Sequence, residues 1–140
     1  MTSWLLDTGP LVAFFDGSDD YHQWAKEKWA QAPLPLLTCE PVLTEAIYLL
    51  QTHAGLAPEK VLALLDRKIV SVPFVLQQHV APLSRLLEKY RDQGMQLADA
   101  CLVRMSELKR DSRLFTIDFN DFRVYRRCER QVIPLVDSHK

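Results

Sequence analysis

Short apolar segments alternate with longer segments of helical periodicity along the chain, and this alternation constrains the fold more than any other feature. The apolar segments lie at residues 3–7, 36–38, 69–72, 113–116 and 132–135. Helical spacing of apolar residues predicts helices at 11–15, 21–30, 41–55, 58–67, 76–91 and 97–109. Strands separated by helices indicate a three-layer α/β/α, Rossmann-like fold around a central, mainly parallel sheet of four to five strands. Pro134 suggests an edge position for the last strand.

Length and composition favour one globular domain, residues 1–140, in which nearly half of the residues are hydrophobic (48%). The formal net charge of −1 neither indicates nor excludes a nucleic-acid partner. Basic residues concentrate at 109–113 and 123–130, where a solvated surface explains them as readily as an RNA contact does. No signal peptide or membrane-spanning segment is recognisable, so we expect a cytoplasmic protein.

Three carboxylates stand at the predicted junctions between elements. Asp7 ends the first strand, Asp99 lies in the first turn of a helix, and Asp118 follows the fourth strand by two residues. Ligands bind at the carboxyl ends of strands in an open parallel sheet, so these side chains are expected to converge on one crevice. Glu45, near the start of the helix that follows the second strand, can reach the same place.

Each acid alone also has an ordinary structural explanation. Asp7 before Thr8-Gly9 could be a turn residue, and Asp99 could stabilise the N-terminus of its helix through the helix dipole. Glu45 could be a solvent-exposed glutamate, and Asp118 could be a loop residue. Their joint placement is harder to explain structurally, because carboxylates that lie close together repel unless a cation is shared. Oxygen ligands favour Mg²⁺ or Mn²⁺, and the chain has no His or Cys cluster that would favour zinc.

Four segments in chain order resemble the motifs of PIN domains. They are LLDTGPLVA at 5–13, PVLTE at 41–45, LADA at 97–100 and LFTIDFNDF at 114–122. Any one of these strings is weak evidence, whereas four in order, in a chain of family-typical size, form a specific pattern. The resemblance covers nearly the whole chain and implies a PIN-like version of the α/β/α fold.

Short PIN domains that stand alone are most often VapC-type toxins of type II toxin–antitoxin pairs. The resemblance therefore implies an endoribonuclease that depends on Mg²⁺ or Mn²⁺, often forms a homodimer and is silenced by a small antitoxin. It implies metal-ligating roles for the residues that match the family's acids, which are Asp7, Glu45, Asp99 and the more variable Asp118. Thr116 matches the hydroxyl residue that commonly stands two positions before the family's fourth acid. It is therefore a candidate catalytic residue together with the four acids. Asp121 is an alternative to Asp118 as the fourth acid.

The main alternative is a PIN-fold module that binds RNA or protein without cutting. The retained acids argue against this, because a silent module does not need four metal ligands. Asp7-Thr8-Gly9 also spells the active-site triplet of aspartic proteases. Those folds are mostly β and carry a second such triplet, whereas this chain is helical and has only one.

Overall fold

Four short parallel strands form the central sheet of the computed structural model, which describes residues 2–136. The strands are β1 (Ser3–Leu6), β2 (Leu36–Leu37), β3 (Val70–Ser71) and β4 (Ser112–Phe115). Their order across the sheet is β3-β2-β1-β4, with Leu5 of β1 opposite Leu37 of β2 and Leu114 of β4. The predicted three-layer fold with a parallel sheet is therefore confirmed, with four strands in the sheet.

Seven helices connect and cover the strands within the described residues. They are α1 (Thr8–Phe15), α2 (His22–Gln31), α3 (Glu40–Ala54), α4 (Pro58–Asp66), α5 (Val80–Lys89), α6 (Leu97–Leu108) and α7 (Phe119–Val124). Short 3-10 turns at Leu76–His79 and Arg91–Gln93 flank α5, so the single helix predicted at 76–91 is broken at both ends. The chain passes from β1 to β3 in one direction across the sheet and then reverses to reach β4. Right-handed crossovers therefore place α1–α4 on one face and α5–α6 on the other.

The core is apolar on both sides of the sheet. Leu5 and Leu6 of β1 are buried, and Phe115 of β4 packs edge-on against Trp24 and Trp29 of α2. None of the helices within residues 2–136 has the length and apolarity needed to cross a membrane.

The first helix begins three residues earlier than its apolar pattern predicts. We expected Gly9 and Pro10 to separate the first strand from a helix at 11–15, but α1 begins at Thr8. Proline is tolerated in the first turn of a helix because the backbone N–H groups there have no partner within the helix. Asp7 caps this end by accepting a hydrogen bond from the Thr8 amide.

The fifth predicted strand, at 132–135, is split between two partners. Gln131–Val132 (β6) pairs antiparallel with Arg126–Arg127 (β5), forming a separate hairpin. Leu135 then makes a single parallel bridge with Leu114 at the edge of the main sheet. Pro134 has no amide hydrogen to donate, which limits the pairing to this short contact, as its predicted edge position implied.

Candidate active site

A cleft of about 480 Å³ opens where β1 and β4 end side by side. Because the chain leaves these two neighbouring strands in different directions, this is the point in an α/β sheet where ligands bind. The cleft is lined by five acidic side chains, which are Asp7, Glu45, Asp99, Asp118 and Asp121. The structure thus brings together the four acids singled out in the sequence and Asp121, the alternative fourth acid. No Lys, Arg or His is among the described residues that line the cleft.

Asp7 lies deepest of the acids, with 8% of its surface exposed. One carboxylate oxygen accepts a hydrogen bond from the Thr8 amide at 2.7 Å, and the other accepts one from the Thr116 hydroxyl at 2.7 Å. The pKa of Asp7 is raised to about 7, chiefly by burial. The charges of Asp99 and Asp118 contribute to the rise, and the two hydrogen bonds partly offset it. Asp7 is therefore held in a fixed orientation and carries a proton easily when no cation is near.

Thr116 links the ends of the two strands. Its hydroxyl is fully buried, donates to Asp7 and accepts a hydrogen bond from the Asp118 amide at 2.9 Å. Both bonds require a hydroxyl, since one uses it as a donor and the other as an acceptor. Thr116 therefore positions the first and fourth acids of the motif set relative to each other.

Asp99 is fixed by the N-terminus of α6. Its carboxylate accepts a hydrogen bond from the Gln96 amide at 3.0 Å, and the Gln96 side chain accepts one from the Asp99 amide in return. This reciprocal pair is a capping box. Burial raises the pKa of Asp99, the Gln96 hydrogen bond lowers it, and the charges of Asp121 and Glu45 raise it.

Asp118 and Asp121 form a pair at the start of α7. The pKa of Asp118 is raised to about 6, chiefly by desolvation, with the side chain and charge of Asp121 contributing to the rise. The sequence left open which of the two is the fourth acid. Both line the cleft, so both stay candidates for that position.

Glu45 approaches the cleft from α3. This helix buries Val42, Ala46 and Leu50 against the core, and Glu45 lies on the adjoining exposed side. Its carboxylate lines the cleft and contributes to the raised pKa of Asp99. The helix therefore holds Glu45 at the cleft through packing, without a side-chain hydrogen bond of its own within residues 2–136.

The donor set fits a hard divalent cation by its chemistry. Five carboxylates face the cleft with no opposing cationic side chain, and the buried Thr8 hydroxyl beside them has no hydrogen-bond partner in residues 2–136. Carboxylate and hydroxyl oxygens are the ligands that Mg²⁺ and Mn²⁺ prefer. As the side chains stand, no three His, Cys, Asp or Glu residues within the described chain form a ready metal cage. The acids would therefore have to close around an ion.

Gly9 allows the close approach of α1 to the loop after β4. A Cβ at position 9 would lie 2.4 Å from Cγ1 and 2.7 Å from Cδ1 of Ile117. Both residues line the cleft. The glycine of the first motif is therefore explained by the packing that brings Asp7 and Asp118 to one site.

Sequence patterns missed two residues beside the acids. Gln96 was not singled out, although its place three positions before Asp99 is a recognisable capping signal. Tyr125 is fully buried, and its hydroxyl has no hydrogen-bond partner in residues 2–136. Burial and the charges of Asp99, Asp121, Asp118 and Asp7 raise the pKa of Tyr125. No local sequence signal marks that position.

Comparison with known proteins gives consistent matches. The PIN domain family model matches residues 4–127. Ribonuclease VapC26 of Mycobacterium tuberculosis is 28% identical over 126 residues, a match that covers 87% of this chain and 91% of that protein. The crystal structure of VapC20 of Mycobacterium tuberculosis, described as a sarcin-ricin loop cleaving toxin, superposes with a TM-score of 0.73. That match has 24% identity and covers 85% of this chain and 94% of the other, and it shows a shared fold.

Proposed function

Because the chain belongs to the PIN-domain family, as its four motifs indicated, we propose that it is a metal-dependent endoribonuclease and the toxin of a type II toxin–antitoxin pair. The observation that carries this proposal is the cleft at the ends of β1 and β4, where acids from four separate segments face one another and no cationic side chain of residues 2–136 lines the cleft. The named relative is a ribonuclease, which supports the same assignment, and the structural neighbour shares the fold.

We assign the metal-ligating role to Asp7, Glu45, Asp99 and Asp118, with Asp121 supporting or replacing Asp118. When bound, Mg²⁺ or Mn²⁺ would lower the pKa of water and offset the charge that develops on phosphate oxygens. The cation would also favour the ionised form of Asp7, whose pKa is about 7 without it.

The protein's own contribution is to hold these groups in place before RNA binds. Thr116 and the Thr8 amide orient the Asp7 carboxylate, and the capping box with Gln96 orients Asp99. Asp118 is exposed at the start of α7 and lines the cleft. Its carboxylate is suited to accept a hydrogen bond from the water that attacks the phosphodiester.

The decisive experiment is RNA cleavage by the purified protein with and without divalent cations. We expect labelled single-stranded RNA to be cut in Mn²⁺ or Mg²⁺ and to remain intact in EDTA. Asp99→Asn should lose at least about 100-fold in rate, since charge stabilisation of this kind contributes two to three orders of magnitude. Asp66→Asn, which alters an exposed carboxylate at the end of α4, is the matched control.

Two outcomes would contradict the proposal. Full activity in Asp99→Asn would show that the cleft is not the active site. RNA cleavage that persists in EDTA would show that the reaction does not depend on a divalent metal. RNA binding without any cutting would favour the alternative, a catalytically silent module.

We further propose that the chain forms a homodimer and is inhibited by a small antitoxin. A short reading frame beside the gene, encoding a DNA-binding protein, is the expected source of the inhibitor. Co-expression should yield a complex in which RNA cleavage is suppressed, and light scattering of the isolated chain should give twice the mass of 16.2 kDa. We expect both proteins in the cytoplasm, where the RNA substrate is.

A further inference from the structure

A second groove, of about 600 Å³, runs between α5, α6 and the β5–β6 hairpin. It is lined by five cationic side chains, which are Arg85, Lys89, Arg104, Arg126 and Arg130. Two carboxylates, Glu107 and Glu129, also line it, so the groove carries a formal charge of +3. The whole chain has a formal net charge of −1. Positive charge is therefore concentrated in this groove, although the net charge of the chain is slightly negative.

The cationic side chains of this groove differ in whether they already have hydrogen-bond partners within the protein. The Arg104 guanidinium donates to Glu107 and to the His79 ring, and the Arg126 guanidinium donates to the carbonyls that end α7. Arg85 and Arg130 are exposed, and neither has a side-chain hydrogen bond or ion pair within residues 2–136. These two guanidinium groups are available to a ligand.

Lys89 is a third cation of the groove that remains available to a ligand. It is exposed, its ammonium lies 5.3 Å from the centre of the Tyr90 ring, and its one hydrogen bond goes to the Glu129 carbonyl at 3.2 Å. A backbone carbonyl does not neutralise the ammonium charge, so Lys89 still presents a positive charge to the groove.

Two tyrosine rings pack together beside the basic groove. The Tyr90 and Tyr125 ring centres are 5.0 Å apart, and the Tyr90 hydroxyl accepts a hydrogen bond from the Arg126 amide at 2.9 Å. Two short segments join the groove to the cleft. Residues 122–125 lie between Asp121 of the cleft and Arg126 of the groove, and residues 90–93 lie between Lys89 of the groove and Gly94 of the cleft.

We infer that the basic groove binds the sugar–phosphate backbone of RNA that flanks the bond cut in the acidic cleft. This inference rests on the proposed function. Five carboxylates without an opposing cation repel a polyanion, so the cleft cannot supply the electrostatic attraction that RNA binding requires. Guanidinium groups match the geometry of phosphate oxygens and can bind them through two hydrogen bonds. Substrate attraction and bond cleavage are thus assigned to neighbouring surfaces of opposite charge.

The test compares two triple variants with the same change in net charge. The groove variant carries Arg85→Gln, Lys89→Gln and Arg130→Gln. The control variant carries three substitutions at exposed positions outside the groove, in α2, in α4 and directly after α4. They are Lys26→Gln, Lys60→Gln and Arg67→Gln. Binding of a fluorescein-labelled single-stranded RNA is measured by anisotropy in EDTA at several salt concentrations, so that no cutting occurs.

We expect the groove variant to bind RNA at least roughly ten-fold more weakly than the natural sequence. Its plot of log affinity against log salt should be shallower by about 2, because each lost phosphate contact removes about 0.7 from the slope for single strands. The control variant should stay within about two-fold of the natural sequence if the effect is local, since a purely global charge effect would weaken both variants equally.

Equal weakening of the two variants, or unchanged RNA affinity in the groove variant, would overturn the inference. The second result would leave an acidic protein segment as the better occupant of the groove. If the triple variant fails to fold, Arg85→Gln and Arg130→Gln are measured singly, since both side chains are exposed and lack side-chain partners in residues 2–136.

A kinetic arm separates this inference from the proposed function. The small ester bis(p-nitrophenyl) phosphate reports on the acidic cleft alone. We expect the ratio of kcat/KM for RNA to kcat/KM for the ester to fall at least about ten-fold in the groove variant. An unchanged ratio would contradict the inference that the groove binds the RNA that is cut in the cleft. If the natural sequence hydrolyses neither substrate, the nuclease proposal fails, and the anisotropy measurement alone decides whether the groove binds RNA.

Discussion

Replacing Asp7 by asparagine should make the ion-free protein more stable at alkaline pH while removing its activity. Asp7 is 8% exposed and has a pKa of about 7, compared with 3.8 for an unburied aspartate. Because the folded-state pKa lies above the unfolded value, the protonated form is favoured in the folded protein. The contribution of Asp7 to the free energy of unfolding is therefore fully present below about pH 4 and is lost as the pH rises through about 7. Asparagine is neutral at every pH and escapes this loss.

The size of the effect follows from the two pKa values. A rise from 3.8 to about 7 corresponds to roughly 4 kcal/mol when ionisation is complete, at about 1.4 kcal/mol for each pH unit. Between pH 5 and pH 8 the natural sequence should lose about 2.5 kcal/mol through this group alone. Asparagine cannot accept both hydrogen bonds that Asp7 receives from Thr8 and Thr116, a loss of about 1 kcal/mol that is independent of pH.

The assay is urea unfolding of both proteins in EDTA at pH 5 and pH 8. The free energy of unfolding of Asp7→Asn relative to the natural sequence should increase by about 2.5 kcal/mol between the two pH values. Asp66→Asn, at an exposed position outside the cleft, is the control. A relative stability of Asp7→Asn that does not change with pH would refute the argument, because it would mean that Asp7 is already ionised in the ion-free fold.

Three further predictions concern the same cleft. Thr116→Val should lower stability by about 1–2 kcal/mol in urea unfolding and slow RNA cleavage, whereas Thr116→Ser retains both, since the buried hydroxyl bonds are lost only with valine. Gly9→Ala should cost about 1–3 kcal/mol because of its clash with Ile117, and Gly17→Ala, which meets nothing within 4 Å, should not. Mn²⁺ at about 100 times its Kd should raise the free energy of unfolding of the natural sequence by about 2.7 kcal/mol. Asp99→Asn should abolish this gain. An equal gain in both proteins would exclude Asp99 as a metal ligand.

Local sequence patterns predicted the layers of the fold because burial imposes a periodicity on each element. The runs at 3–7 and 113–116 correspond to β1 and β4, and these strands are apolar because helices cover the sheet on both faces. The same reasoning failed at 119–124, where α7 is too short for its periodicity to stand out. It also failed at 132–135, where the chain divides its pairing between two partners.

The candidate acids could be found from the sequence because their positions follow from topology. Asp7 and Asp118 come after strands that are parallel neighbours, so they are expected at one edge of the sheet whatever the side-chain packing. Their motifs also identified the family. The local pattern does not contain the hydrogen bond from Thr116 to Asp7, which joins residues 109 positions apart.

The order of residues along the chain was sufficient to predict the α/β/α class, the family and the four candidate acids, because each depends on motifs and on the alternation of elements. The packing of the helices on the sheet sets how those residues behave. It buried Asp7 deeply enough to raise its pKa to about 7, and it gathered Arg85 and Lys89 of α5 with Arg130 into one basic groove. It also turned Arg127, from the same basic run as Arg130, inward to the carbonyls of Ser106 and Arg110. Charge effects depend on distance and on the exclusion of water, and neither is fixed until the helices pack on the sheet.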